Sequence, residues 1–305
     1  MTDSPWSVAV VGPGGVGGLV GAVLTRAGHP VVYVARPRTA AALTAGGLHV
    51  ASAQYGDFHV PATAVPRLAA PVDLCVVATK ATALDAALDG VPAEALGAGL
   101  VLPLLNGVDH MAALRERFPA AQVLAGAIRV ESTRTAPGRI AHASPFCVVE
   151  VAGDRTPRTR LDTLAAQLRA AGIDASVRDG EAAVLWDKLA FLAPLALLTT
   201  AYGATAGEVR ERHRAELEAV VGEVVSAARA SGATVDTQAV LGFFDRVPAG
   251  MRSSMQRDVE AGRMPEVDAI GGAVLRAAAG HGVDAPATGR LLESCRQKAD
   301  QVAAT

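Results

Sequence analysis

Two places in this 305-residue chain carry residues whose types and spacing suit chemistry. The first is Gly12-Pro13-Gly14-Gly15-Val16-Gly17, a G-x-G-x-x-G run. It follows an apolar strand pattern and opens a helical one, the context in which such a run cradles a dinucleotide pyrophosphate. Gly12 permits the tight turn, Gly14 lets the backbone approach a phosphate, and Gly17 lets helix pack closely on strand. With Pro13, Gly15 and Val16 they form the loop before a helix N-terminus, where unpaired N–H groups and the positive end of the helix dipole face the ligand. The second place is Lys188, the last charge before nineteen uncharged residues. A lysine at such an apolar edge is partly desolvated, which lowers its pKa and suits acid–base work. The same position equally suits a lysine that snorkels at a helix end.

Cofactor choice is read at the end of the second strand. A carboxylate there accepts from the ribose 2′-OH of NAD, and a basic group takes the 2′-phosphate of NADP. The chain has Tyr33-Val34-Ala35-Arg36-Pro37-Arg38, with no carboxylate, and the guanidinium of Arg36 can hold the phosphate bidentately. NADP(H) is therefore the expected cofactor. The seven histidines are scattered, and there is no H-E-x-x-H, no Cys/His cluster and no G-x-S-x-G. Metal hydrolysis and serine acyl transfer are thus not indicated, and no metal site is expected.

The elements that must position these groups fall into two textures. In the first half, short apolar runs alternate with helical patterns. Strands are expected over Ser7–Val11, Val31–Ala35, Asp73–Ala78, Leu100–Leu105, Val123–Ile128 and Phe146–Val151. Helices are expected over Gly15–Ala27, Ala83–Leu88, His110–Phe118 and Arg158–Ala171. Strands apolar on both faces and separated by helices imply a doubly wound, mostly parallel α/β sheet of the Rossmann kind. Beyond about residue 180 only helical patterns remain, over Glu181–Thr200, Glu208–Ser231, Thr237–Val247, Ser253–Ala261, Glu266–Gly280 and Thr288–Ala303. The expected organisation is a nucleotide-binding domain over residues 1–179 and an all-α domain over 180–305, joined near Arg178-Asp179-Gly180.

Half the residues are hydrophobic, 19% are charged, and 28 basic against 30 acidic residues leave a net charge of −2. Disorder is excluded by that composition. Nucleic acid and anionic membrane surfaces are not expected partners, because both demand a basic excess. Three distant cysteines without a CxxC fit a reducing compartment, and Cys75 suits a small buried hydrophobe. Leu189–Gly207 is long enough to span a membrane, but Pro194 and Gly203 and the charged helices around it favour a helix buried between two domains. The expectation is a cytoplasmic protein, with alanine-rich helices compatible with a homodimer and equally with intramolecular packing.

The chain resembles ketopantoate reductase (2-dehydropantoate 2-reductase) and its wider family from about Val8 to Leu292. The resemblance rests on the glycine run with Arg36, Thr79-Lys80, Leu105-Asn106-Gly107-Val108, Trp186-Asp187-Lys188-Leu189 and Ser253-Ser254-Met255-x-x-Asp258. Glu266-Val267-Asp268 followed by Gly271 and Gly272, and His281-Gly282-Val283-x-x-Pro286, complete it. It implies an NADPH-dependent reduction of a 2-oxo acid in a cleft between the two domains, with Lys188 as the acid that protonates the carbonyl oxygen. It also implies that Glu266 positions substrate and cofactor, that Asn106 and Lys80 line the nicotinamide side, and that Ser132 touches the cofactor by its backbone. Ser254, beside Ser253, would bond the substrate's carboxylate.

The chain departs from the family four and eight residues after the lysine, where asparagines are usual and Leu192 and Ala196 stand here. Ala206 and Met251 likewise occupy positions where polar residues occur. Lys188, Leu192 and Ala196 share one helix face, a stripe with a charged top and an apolar floor. A buried substrate group left without its partner costs about 1–3 kcal/mol. The expected substrate is therefore 2-dehydropantoate or a less polar 2-oxo acid or related carbonyl. Two other readings stay open: a 6-phosphogluconate or imine-reductase-like NADP oxidoreductase, and a non-catalytic NADP-binding protein.

Overall fold

Runs of β-branched residues buried on both faces set the architecture of the computed structural model, which describes residues 4–304. In chain order the first half contains β1 (Val8–Val11), α1 (Gly15–Arg26), β2 (Val31–Val34), α2 (Pro37–Gly46), β3 (Leu48–Ser52), β4 (Phe58–Val60), β5 (Thr63–Val65), β6 (Leu74–Val77), α3 (Leu84–Leu88), α4 (Ala93–Leu96), β7 (Leu100–Pro103) and α5 (His110–Arg117). Then come β8 (Ala125–Arg129), β9 (Ser132–Ala136), β10 (Arg139–His142), β11 (Val148–Ala152), α6 (Arg158–Ala170) and β12 (Asp174–Val177). The rest is helical: α7 (Glu181–Tyr202), α8 (Ala206–Arg212), α9 (Arg214–Ala230), α10 (Thr237–Arg246), α11 (Ser254–Glu260), a π-helical turn over Asp268–Gly272, α12 (Ala273–Gly280) and α13 (Pro286–Ala303).

The chain divides into two compact units. One holds the residues up to Leu105 together with His110–Val184; the other holds Asn106–Asp109 and the chain from Leu185 onward. In the first unit a five-stranded, wholly parallel sheet runs in the order β5-β2-β1-β6-β7. That is the doubly wound, Rossmann-like arrangement expected. Val8, Val10, Val76, Leu100 and Leu102 are almost fully buried, because helices cover both faces of a parallel sheet.

The same unit has two further sheets. One is four-stranded in the order β4-β3-β10-β9, and one is three-stranded in the order β12-β11-β8. Five of their strands, β3, β4, β9, β10 and β12, carry mixed polar patterns, such as Ser-Thr-Arg-Thr-Ala in β9, and no apolar run announces them. They are held by cross-strand pairing rather than by two-sided burial. Helix α2 also went unannounced, since Arg36-Pro37 looks like a loop; proline at the first helical position is in fact pre-set for a helix start.

The second unit is all-helical. Leu217, Val220, Val221 and Val224 of α9 are buried at successive turns, as are Leu291, Leu292 and Cys295 of α13. One continuous helix over Glu208–Ser231 is not formed: it breaks at His213 into α8 and α9. The charged run there offers no apolar stripe to carry a helix through. Its Arg210 instead donates to the carbonyls of Phe244 (2.7 Å), Asp245 (3.2 Å) and Val247 (2.7 Å). Helix α7 is long and apolar enough to cross a membrane by length and composition, but 61% of its most apolar window is buried in the protein, as in a core helix. The three cysteines are buried thiols; burial pushes Cys75 and Cys295 up to about 12 and Cys147 up to about 11.

Candidate active site

The glycine loop of the first unit has the shape a pyrophosphate needs. Gly12 follows β1 with φ +85°, a left-handed conformation that L side chains rarely adopt, and a Cβ there would lie 2.7 Å from Thr79 Cγ2. At Gly14 a Cβ would meet nothing within 4 Å, so the backbone faces open space. At Gly17 it would lie 2.3 Å from the Gly12 carbonyl and 3.1 Å from Val10 Cγ1, so α1 packs directly on β1. Helix α1 starts at Gly15 without a side-chain cap and without an acid in its first turn. Its N–H groups and dipole thus face the open side of Gly14, while Pro13 is buried beneath the loop and Val16 half-buried. Beside the loop, the Thr79 hydroxyl oxygen is buried with no protein partner, a polar atom suited to a ligand's oxygen. The residues present therefore fit a bound dinucleotide.

Three expected cofactor residues surround that loop. Arg36 is exposed at the end of β2, where it precedes Pro37 as the N-cap of α2. Lys80 is exposed just past the end of β6, next to Thr79. Ser132 opens β9, and its hydroxyl donates to the Gly15 carbonyl at 2.8 Å. A Cβ on Gly15 would lie 2.2 Å from the Ser132 carbonyl oxygen. Gly15 therefore has to be glycine as well, a requirement the six-residue pattern leaves open.

In the second unit Lys188, Asn106 and Glu266 come together from segments far apart in sequence. Lys188 Nζ donates to Asn106 Oδ1 at 3.0 Å, and Asn106 Nδ2 donates to Glu266 Oε2 at 3.1 Å. All three are half-buried. The amide thus turns its oxygen to the ammonium and its nitrogen to the carboxylate, and each partner fixes the other's geometry. Asn106 was expected on the cofactor side; its place between the Lys188 ammonium and the Glu266 carboxylate is visible only in the fold. Its loop is fixed on both sides. Gly107 has φ +81°, and a Cβ there would lie 2.0 Å from the Ala269 carbonyl oxygen. Arg276 holds Asp109 at 2.6 Å and the Asp268 carbonyl at 2.8 Å. The chain just past Glu266 is the π-helical turn, a form that recurs at functional sites.

The expected substrate residues divide. Ser254 is exposed at the start of α11. Ser253 is 3% exposed, and its hydroxyl accepts from Gln256 N at 3.0 Å as the N-cap of α11. It also meets Thr199 Oγ1 at 2.8 Å, and since Thr199 donates to the Leu195 carbonyl, Ser253 is the donor in that pair. Ser253 thus caps α11 and ties its start to Thr199 on α7. On α7, Lys188 and Leu192 are half-buried while Ala196 is fully buried. The apolar stripe is open at Leu192 and closed at Ala196.

Sequence reasoning passed over Phe191 and Phe243. Phe191 stands one turn beyond Lys188, and Phe243 meets it edge-on with ring centroids 4.7 Å apart. The signal was the tandem Phe243-Phe244 in an amphipathic helix, where two adjacent aromatics cannot both point into one core.

A family model described as ketopantoate reductase PanE/ApbA matches residues 8–149, and its partner, ketopantoate reductase PanE/ApbA C terminal, matches residues 182–299. The uncharacterized oxidoreductase YkpB of Bacillus subtilis (strain 168) is 29% identical over 278 residues, covering 88% of this chain and 91% of that protein. A 2-dehydropantoate 2-reductase of Halobacterium salinarum is 29% identical over 304 residues, covering 95% of this chain and 97% of that protein. Among solved structures, D-mandelate dehydrogenase with NADH and anilino(oxo)acetate matches with a TM-score of 0.88 at 22% identity, over 97% of this chain and 99% of that one. At that identity the likeness concerns the fold.

Proposed function

Because the chain belongs to the ketopantoate reductase family, we propose that it reduces a 2-oxo acid to the 2-hydroxy acid with NADPH, using Lys188 as the general acid. The observation that carries this reading is the run of hydrogen bonds from Lys188 through Asn106 to Glu266. When bound, the dihydronicotinamide supplies a hydride to the C2 carbonyl carbon. Lys188 faces the oxygen on which charge develops; its ammonium stabilises that charge and gives up a proton, so that C=O becomes CH–OH. Asn106 keeps the ammonium aimed, and Glu266 holds Asn106 and orients substrate and cofactor. In the reverse direction the neutral amine takes the proton back. Ser254, set by the Ser253 cap, is the group for the substrate carboxylate.

For the cofactor, the D-mandelate dehydrogenase of this fold was solved with NADH, yet this chain has Arg36 and no carboxylate between Tyr33 and Thr39. A 2′-phosphate gains a charge-assisted partner there, and an NAD ribose finds no acceptor. The glycine loop, Arg36, Lys80 and Thr79 form the binding surface in this reading. For the substrate, Leu192 in place of a polar residue favours a less polar 2-oxo acid over 2-dehydropantoate.

The test is NADPH oxidation across 2-oxo acids of graded polarity, 2-dehydropantoate included, for wild type and Lys188→Ala. Turnover is expected with at least one 2-oxo acid, and the variant should lose about 10²–10⁴-fold in kcat while NADPH affinity holds. Near-normal turnover in the variant removes Lys188 from its role. A kcat/KM near about 10⁵ M⁻¹s⁻¹ for 2-dehydropantoate, the level of a good enzyme–substrate pair, overturns the less-polar substrate.

A further inference from the structure

Phe243 is an exposed aromatic that is nevertheless held firmly. It is 45% exposed, one of four large hydrophobics so exposed among the described residues. Its edge meets Phe191, at 4.7 Å between centroids and 75° between planes, and Phe191 also packs on Phe244 at 4.7 Å. Phe244 is fully buried, so the three rings form a stack rooted in the core and open at its outer end. The end of α10 that carries them is tied down by Arg210, which takes the carbonyls of Phe244 and Val247 at 2.7 Å each. Arg210 sits on α8, itself fixed by a capping box between Thr205 and Glu208. A ring packed edge-on against a second ring and carried by an anchored helix end has less freedom to lose on meeting a ligand, which suits a recognition surface.

The position of this stack gives it a meaning. Lys188, Phe191 and Leu192 lie at i, i+3 and i+4 of α7, neighbours on one helix face. All three are half-buried, not sealed in the core. The ammonium that meets the C2 oxygen is therefore flanked by one aromatic and one branched aliphatic side chain, and the aromatic continues outward into Phe243. Phe191 and Leu192 are thus the side chains that flank Lys188 along this helix face, and Phe243 meets the outer side of Phe191. None of the three can hydrogen-bond, so a hydroxyl there would lose its water without replacement. A flat ring gains an edge-to-face contact in addition to burial.

We propose that the substrate is an aryl 2-oxo acid, with its ring on C2 or one methylene away, and that Phe243 together with Phe191 forms the specificity wall for that ring. This rests on the reading of Lys188 as the acid of a 2-oxo acid reductase.

The test compares NADPH-dependent kcat/KM for phenylpyruvate, phenylglyoxylate, 2-oxobutyrate and 2-dehydropantoate in wild type, Phe243→Ala and Phe243→Leu. Phe243→Ala truncates a half-exposed ring and leaves the buried Phe244 anchor in place. The wild type is expected to prefer one of the two aryl acids over 2-oxobutyrate and 2-dehydropantoate. In Phe243→Ala the aryl-to-2-oxobutyrate ratio should fall about tenfold, mainly through KM, the size of one aromatic contact with its buried area. Phe243→Leu should restore part of it. A wild-type preference for 2-dehydropantoate, or a ratio unmoved by Phe243→Ala, overturns the aryl assignment and leaves the reductase reading standing. A shift in oligomeric size by gel filtration with selectivity unchanged also overturns it, since Phe243 would then cover a second copy. Absence of turnover with all four acids, when the wider 2-oxo acid panel also gives none, overturns the reductase reading and this assignment with it.

Discussion

Asn106 turns its two amide ends in opposite directions, and that places both polar ends of one small side chain in the service of Lys188 and Glu266. Replacement by a side chain of similar size without the amide would leave the ammonium without its 3.0 Å acceptor, a loss of orientation more than of charge. Arg36 works differently. It is exposed and has no structural task in its loop beyond preceding Pro37. Arg36→Ala is therefore expected to keep the fold and kcat with saturating NADPH, and to raise KM for NADPH about 10–100-fold, the value of a charged hydrogen-bond pair. KM for NADH should barely change. Steady-state kinetics with both nucleotides check this, and an unchanged NADPH preference in the variant would remove Arg36 from cofactor choice.

At the level of elements, the loop Asn106–Asp109 belongs to the helical unit although it follows β7 in sequence. Besides the hydrogen bonds of Asn106 to Lys188 and Glu266, it is held there by the close approach of Gly107 to Ala269 and the ion pair of Asp109 with Arg276. Gly107→Ala puts a Cβ 2.0 Å from a backbone oxygen in a left-handed conformation, so the loop must move. The conformation alone costs about 1–2 kcal/mol. The expected result is a fall in kcat of at least about tenfold with little change in KM for NADPH, since Asn106 leaves Lys188 while the glycine loop is untouched. Equal losses in kcat and in NADPH affinity would mean a general structural effect instead.

For the molecule as a whole, stability toward acid depends on a buried carboxylate in the three-stranded sheet of the first unit. Glu150 of β11 is 8% exposed and sits between Arg129 of β8 and Arg178, which donates to it at 2.5 Å. Burial pushes this carboxyl up, but hydrogen bonds from Arg129 and Arg178 outweigh it and hold the group below its usual 4.5. A carboxyl depressed in the folded state contributes stability that is complete above its unfolded value and lost as pH falls through the folded one. Glu150→Gln is expected to lower stability by about 1–3 kcal/mol at neutral pH. Its decline below about pH 4.5 should be shallower than that of the wild type. Urea melts across that range check this, and parallel acid slopes for the two proteins would refute it.

The sequence by itself determined four of the five strands of the parallel sheet, all but the short edge strand β5, along with the glycine loop, the helical character of the second unit and the identity of Lys188 as a candidate acid. Those features are local: two-sided burial writes apolar runs, a tight phosphate turn demands glycine, and one charge at the head of an apolar helix is visible in any reading. The sequence announced β9 and β10 by no apolar run: they are a polar hairpin at the edge of a sheet, joined to it only where β10 pairs with the distant β3. Nor could it show that Ser253 is an anchor: Thr199, its partner, is 54 residues away. Only the tertiary structure decided that Asn106 bridges Lys188 and Glu266, across separations of 82 and 160 residues, and that Phe243 extends the wall begun by Phe191. The physical reason is the same in each case: a hydrogen bond or ring contact between distant segments depends on how helices and strands pack, and packing leaves no local periodicity to read.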